Sequence, residues 1–92
     1  MINESTNALA KLGQVQFAQG KPEEAIETFE KALNRGDKFA EAEASFFLGL
    51  IAEEEGKTAD AQEWWKRGAA AIGDHHEHHR NLCSKRLASG PN

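Results

Sequence analysis

The sequence predicts an all-α fold, a short solenoid made of two helical hairpins and one terminal helix. Three observations carry that expectation. The set Leu12-Gly13, Gly20, Ala25, Phe29 and Ala32-Leu33 returns as Leu48-Gly49, Gly56, Ala61, Trp65 and Gly68-Ala69, each residue 36 positions on. A repeat of roughly 20 to 50 residues marks a solenoid, in which one supersecondary unit buries its apolar face against the next. Within each unit the apolar residues keep a helical period of roughly 3.6, and a glycine closes the first helix of each pair.

Taken in order, the first helix is expected over Asn3 to Gln19, with Ala8, Leu9, Leu12, Val15 and Phe17-Ala18 as its apolar positions. Gly20 stops it. Lys21-Pro22-Glu23-Glu24 opens the second, with proline in the first turn and two carboxylates at the positive end of the helix dipole. Its stripe is Ala25, Ile26, Phe29, Ala32 and Leu33, and Asn34-Arg35-Gly36-Asp37 supplies turn chemistry. The third helix starts at Lys38 or Phe39, carries Ala42, Phe46, Phe47, Leu48, Leu50, Ile51 and Ala52, and closes at Glu53-Glu54-Glu55-Gly56. Lys57-Thr58-Ala59-Asp60 opens the fourth with Thr58 as the expected cap. That helix runs through Ala61, Trp64, Trp65, Gly68, Ala69 and Ile72 until Gly73-Asp74 breaks it. A last helix is expected from His75 to Ala88, capped by Asp74 and stopped by Gly90-Pro91. Leu82-Cys83 and Gly90 follow Leu48-Gly49 and Gly56 by 34 positions, so the tail reads as half of a third unit that covers the terminal apolar face. The expected organisation is one domain over residues 1–92, with repeat one at 5–36, repeat two at 39–73 and the capping helix at 74–89.

Composition narrows the function. Hydrophobic residues make up 39% and charged residues 28%, which suits a folded helical domain with a thin core. A net charge of −4 leaves no basic footprint, so neither nucleic acid nor an anionic membrane is an expected partner. No apolar run approaches the roughly 18 residues of a membrane-spanning helix, and Met1-Ile2-Asn3-Glu4 lacks the pattern of a signal peptide. A single cysteine, Cys83, gives no disulfide framework, and a cytoplasmic location is expected. There is no nucleophile–base–acid set, phosphate loop or two-histidine metalloprotease motif. No enzyme activity, catalytic residue or cofactor is therefore expected.

The paired hairpins resemble tetratricopeptide repeats. The small and large positions of that family appear as Leu12, Gly13, Gly20, Ala25, Phe29 and Ala32, and again as Leu48, Gly49, Gly56, Ala61, Trp65 and Gly68. Gly20-Lys21-Pro22-Glu23-Glu24-Ala25-Ile26-Glu27 is especially typical, and residues 5–72 carry the match. The spacing has a physical basis: Gly13 and Gly49 let one helix approach its partner, Ala25 and Ala61 let the partner approach back, and Phe29 and Trp65 fill the wedge. Three features depart from the family pattern. Gln16 and Ala52 stand where an aromatic is usual, no proline follows the second helix, and the first period is 36 rather than the usual 34.

The resemblance implies a right-handed α-α superhelix whose first helices line a concave groove. Such a groove takes an extended peptide or a partner helix. Groove candidates are Asn7, Ala10, Gln14, Phe17 and Ala18 from the first unit and Glu43, Phe46, Phe47, Leu50, Glu53 and Glu54 from the second, a mixed apolar and acidic surface. Repeat domains that grip a chaperone's C-terminal carboxylate line the groove with lysine, asparagine and arginine. Gln14 and Glu43, with Lys11 the one nearby base, do not make that clamp. The expected function is a protein-interaction module or scaffold that binds a partner's peptide or helix. The alternatives are a self-associating structural unit, a homodimer without peptide ligand, and a histidine-mediated metal-responsive module.

Several single features have both a functional and a plainer role open to them. Phe46 and Phe47 are adjacent and diverge by roughly 100° on a helix, so one is expected to be partly exposed, as an anchor or under the tail helix. Trp64 is expected on the outer wall beside Lys66 and Arg67, packed against the tail or at a dimer contact. His75 and His79 lie four apart, as metal pairs on one helix face do, with Cys83 a third candidate ligand. Cys83 also matches the small buried positions Gly13 and Gly49, which favours an inert thiol, and no metal site is assigned. Glu43, Glu53 and Glu54 would form an acidic strip that selects a basic partner.

Overall fold

The computed structural model describes residues 6–35, 40–71 and 77–89, and at Thr6 and Asn7 the backbone alone. Among these residues the chain forms five helices and no strand: α1 (Thr6–Ala18), α2 (Pro22–Asn34), α3 (Glu41–Glu54), α4 (Thr58–Ala69) and α5 (Glu77–Ser89). The chain is an all-α helical repeat.

The two hairpin turns are built alike. Gly20 and Gly56 take φ of 77° and 79°, a left-handed conformation that a residue with a Cβ adopts only at a cost. Each lets the chain cap the helix it leaves. Gly20 N donates to Phe17 O at 3.0 Å and Lys21 N to Gln16 O at 2.9 Å, while Gly56 N donates to Glu53 O at 3.0 Å and Lys57 N to Ala52 O at 2.8 Å. Paired bonds of this kind satisfy carbonyls that a helix end otherwise leaves open. Pro22 stands in the first turn of α2, where its missing N–H costs nothing.

Within each hairpin a glycine faces an aromatic ring. A Cβ at Gly13 would lie 2.6 Å from Phe29 Cε1, and one at Gly49 would collide with the Trp65 indole. Phe29 is fully buried and Trp65 is 2% exposed. Burying each ring contributes about 1.5–3 kcal/mol, and the absent Cβ is what lets the helices close on it. Trp65 also satisfies its indole, Nε1 donating to Phe46 O at 3.3 Å. Between hairpins, Ala25 and Phe29 of α2 meet Ala44, Leu48 and Ile51 of α3 in one core cluster. A second joint sets Ala61 and Trp65 of α4 against Cys83 of α5.

The helices sort into two layers. The α3 backbone lies close to both α1 and α5, whereas those of α2 and α4 each lie close to α3 and not to one another. The first helices of the hairpins therefore form a close inner layer, and the second helices stand apart on the outer side.

The structure departs from the sequence expectations at several positions. Thr58 is not a cap: Lys57 takes that position without a side-chain hydrogen bond, and Thr58 is already helical. α4 ends at Ala69, before Ile72 and Gly73, and α1 ends at Ala18. Leu12 and Val15 are 42% and 51% exposed, although their counterparts Leu48 and Ile51 are 3% and 1% exposed. The difference is what lies alongside: α2 covers that face of α3, and no described helix does the same for α1. Ala10 is fully buried with Leu9, Ala32 and Ala40, so it packs the hairpin and does not line a groove. Trp64 packs on the α2–α3 cluster and not on the tail, with the Arg67 guanidinium 5.6 Å from its ring centroid. Expectations placed on Asn3, Gly36, Asp37, Lys38, Phe39, Ile72, Gly73, Asp74, His75, Gly90 and Pro91 lie outside the described residues.

Candidate functional site

A row of aromatic rings crosses the inner layer. Phe17 of α1 meets Phe47 of α3 edge-on, with centroids 5.9 Å apart, and Phe47 stacks on Phe29 at 5.6 Å and 3°. Phe46 meets Phe47 edge-on at 5.2 Å, and the His79 imidazole of α5 lies 6.1 Å from both phenylalanines. Edge-on and offset stacking are the arrangements that a ring's quadrupole favours. The adjacency of Phe46 and Phe47 is resolved by sharing. Both are half-buried, Phe47 joining the core between the hairpins and Phe46 the core beneath α5.

The polar candidates around this row differ in what they offer. Glu43 is half-buried, and burial raises its carboxyl above the ordinary range while the Lys11 ammonium draws it partly back. Its charge is answered from α1. Glu53 is tied to α5, its Oε1 3.4 Å from Arg86 Nη1, and Arg86 also lies 5.6 Å from the Trp65 ring centroid. That pair is exposed, so it adds at most about 1 kcal/mol. Glu54 is exposed, and Gln14, Phe17 and Leu50 are half-buried. The structure thus brings Phe17, Phe46 and Phe47 together on the inner layer, links Glu53 to α5 and Glu43 to Lys11, and leaves Glu54 in solvent. The Asn7 side chain lies outside the described set.

The metal candidates separate. His75 lies outside the described residues. His79 is half-buried among rings, and the Cys83 thiol is fully buried, its pKa pushed up to about 11 by burial. A thiol must ionise to ligate a metal, so this environment opposes ligation. Among the described residues no group of three histidine, cysteine or carboxylate side chains could hold an ion.

One contact escaped the sequence reading. Thr28 Oγ1 donates to Gln16 Oε1 at 2.6 Å, with Glu24 O a further acceptor at 3.0 Å. Gln16 stands where the repeats that the sequence resembles usually carry an aromatic, and here it accepts a hydrogen bond from α2. The counterparts of this pair, 36 positions on, are Ala52 and Trp64. A polar couple in the first hairpin becomes a small residue and an indole in the second, and the shared offset was the signal that could have linked them.

No helix among the described residues is long and apolar enough to cross a membrane. Residues 6–39 match the family model described as tetratricopeptide repeat. No curated protein and no solved structure matches the chain.

Proposed function

The chain belongs to the tetratricopeptide repeat family through its first hairpin, and from that premise we propose that its inner layer binds a peptide or helix of a partner protein. Such repeats generally mediate protein–protein interaction. The observation that carries the reading is the aromatic row Phe17–Phe47–Phe46, half-buried and supplied by α1 and α3 of one layer, with His79 of α5 at its edge. Aromatic side chains of this kind anchor a ligand through large contact area at low entropic cost. Gln14 and Leu50 would flank the ligand, Glu54 would meet a basic residue, and Glu43 and Glu53 would form the remainder of the acidic strip. Glu53 would first leave Arg86. In this reading the chain is a non-catalytic scaffold in the cytoplasm, with no nucleic acid, membrane or cofactor involved.

The test is selection of a binding peptide from a random displayed library, followed by affinity measurement on variants. Phe17→Ala and Glu54→Lys are expected to weaken the selected peptide by about tenfold and fivefold respectively, with the helical content unchanged. Equal affinity for both variants and the parent would remove the inner layer as the site.

A second reading, self-association, rests on the exposure of Leu12 and Val15 where Leu48 and Ile51 are covered. Isolated exposed apolar residues are ordinary, but these two fall on the face that the chain elsewhere buries against a neighbouring hairpin. Light scattering over a wide concentration range tests it. The reading expects a mass that rises with concentration and becomes constant in Leu12→Glu; a constant monomer mass in the parent chain eliminates it.

A further inference from the structure

We propose that the outer trough between α2 and α4 is a second binding surface, for an extended protein segment that carries an arginine beside an apolar residue. This surface lies on the opposite layer from the inner aromatic row. The backbones of the two helices stay apart, and α3 forms the floor between them. One cavity there, of about 110 Å³, is lined by Ile26, Leu48, Ile51, Ala52 and Trp64 with a charged rim. A second, of about 350 Å³, is lined by Glu30, Leu33, Asn34, Trp64 and Arg67. Glu30 and Trp64 are common to both, so the cavities form one path with an indole and a carboxylate at its centre.

Charge complementarity identifies the occupant. The two cations of the rim are already answered by carboxylates: Lys57 Nζ lies 3.4 Å from Glu55 Oε1, and Arg67 Nε donates to Glu41 Oε2 at 3.2 Å. Glu30 and Asp60 pair with no cation among the described residues, which leaves the trough with unmatched negative charge beside an apolar floor. The chain itself shows how a guanidinium sits here. Arg67 lies 5.6 Å from the Trp64 ring centroid while its Nε reaches Glu41, stacking and ion pairing at once. An incoming arginine would meet the Trp64 indole beside Arg67 and the Glu30 carboxylate, and its apolar neighbour would lie on Ile26, above the enclosed Ile51. The internal repeat shows that the trough does not follow from the hairpin plan alone. At the corresponding positions the first hairpin closes with a Gln16–Thr28 hydrogen bond, whereas Ala52 and Trp64 line an open cavity.

The probe is the peptide N-acetyl-Leu-Arg-Leu-amide, with N-acetyl-Leu-norleucine-Leu-amide as its uncharged counterpart, titrated into the full chain and followed by NMR. The arginine peptide is expected to shift the Trp64 indole N–H and the Ile26 and Ile51 methyl signals to saturation at millimolar concentration. Glu30 is exposed, so Glu30→Gln keeps the fold, and it is expected to weaken the arginine peptide about fivefold while leaving the norleucine peptide unchanged. Trp64→Ala is expected to abolish the shifts at Ile26 and Ile51. Equal binding of the two peptides, an unchanged affinity in Glu30→Gln, shifts confined to Phe17 and Phe46, or no shift at millimolar peptide would each overturn the proposal. Shifts confined to the inner layer would do so while upholding that layer as the binding face.

Discussion

Trp65→Ala is expected to remove about 3–5 kcal/mol of folding stability, a large share of what a domain of this size possesses. The indole is 2% exposed, fills the wedge that Gly49 opens, joins the cluster that contains Cys83 of α5, and donates to the Phe46 carbonyl. Its loss leaves a cavity bordered by three helices and an acceptor without its donor. Gly49→Ala attacks the same joint from the opposite side. The added Cβ collides with the indole, and because Trp65 is enclosed the strain is expected to cost about 1–3 kcal/mol. Gly20→Ala is the useful contrast: no atom lies within 4 Å of its Cβ, and only the φ of 77° resists, so a loss of about 1 kcal/mol is expected. Urea denaturation followed by circular dichroism orders the three, with Trp65→Ala lowest in midpoint. A Trp65→Ala midpoint equal to the parent's would contradict the wedge.

Gly68→Ala should uncouple α5. A Cβ at Gly68 collides with the Cys83 sulfur and lies 3.3 Å from Ser45 Cβ, so the methyl group has no room while α5 stays docked. The expected cost is about 1–3 kcal/mol. Cys83→Ala removes the obstructing sulfur, and in that background the cost of Gly68→Ala should shrink, with a coupling of about 0.5–3 kcal/mol between the two sites. The functional consequence follows from His79, which α5 carries to within 6.1 Å of Phe46 and Phe47. Undocking should therefore shift the Phe46 and Phe47 ring signals in the single variant and restore them in the double. An equal cost of Gly68→Ala with and without the thiol would mean that α5 does not pack through Cys83.

The hairpins could be read from the sequence because their spacing answers local demands. A helix pair that closes on an aromatic ring needs a residue without a Cβ opposite it, and a turn at positive φ needs glycine, so Gly13, Gly20, Gly49 and Gly56 fix the pattern by residue type alone. Burial between hairpins is a different matter. Leu12 and Leu48 are the same residue at the same repeat position, yet one is 42% and the other 3% exposed, because burial belongs to the neighbouring helix and not to the leucine. Ala10 shows the same limit: helical projection put it in the groove, and contact with Ala32 of α2 encloses it. The sequence places Trp64 against the tail or at a dimer contact, but α5 approaches α4 on the Trp65 side and the indole settles on the α2–α3 cluster. The grouping of Phe17 with Phe46 and Phe47 follows from projection, whereas the reach of α5 over that row depends on packing at Gly68 and Cys83 and has no signature in the spacing of His75 and His79.

The inner layer as the partner-binding face is the central claim, and chemical-shift mapping of the library-selected peptide on the full chain tests it most directly. The account predicts saturable shifts at Gln14, Phe17, Phe46, Leu50 and Glu54, together with His79 as the ligand reaches the edge of α5, while Ile26 and the Trp64 indole stay in place. Shifts confined to Ile26, Glu30 and Trp64, or spread without saturation over both layers, would contradict it.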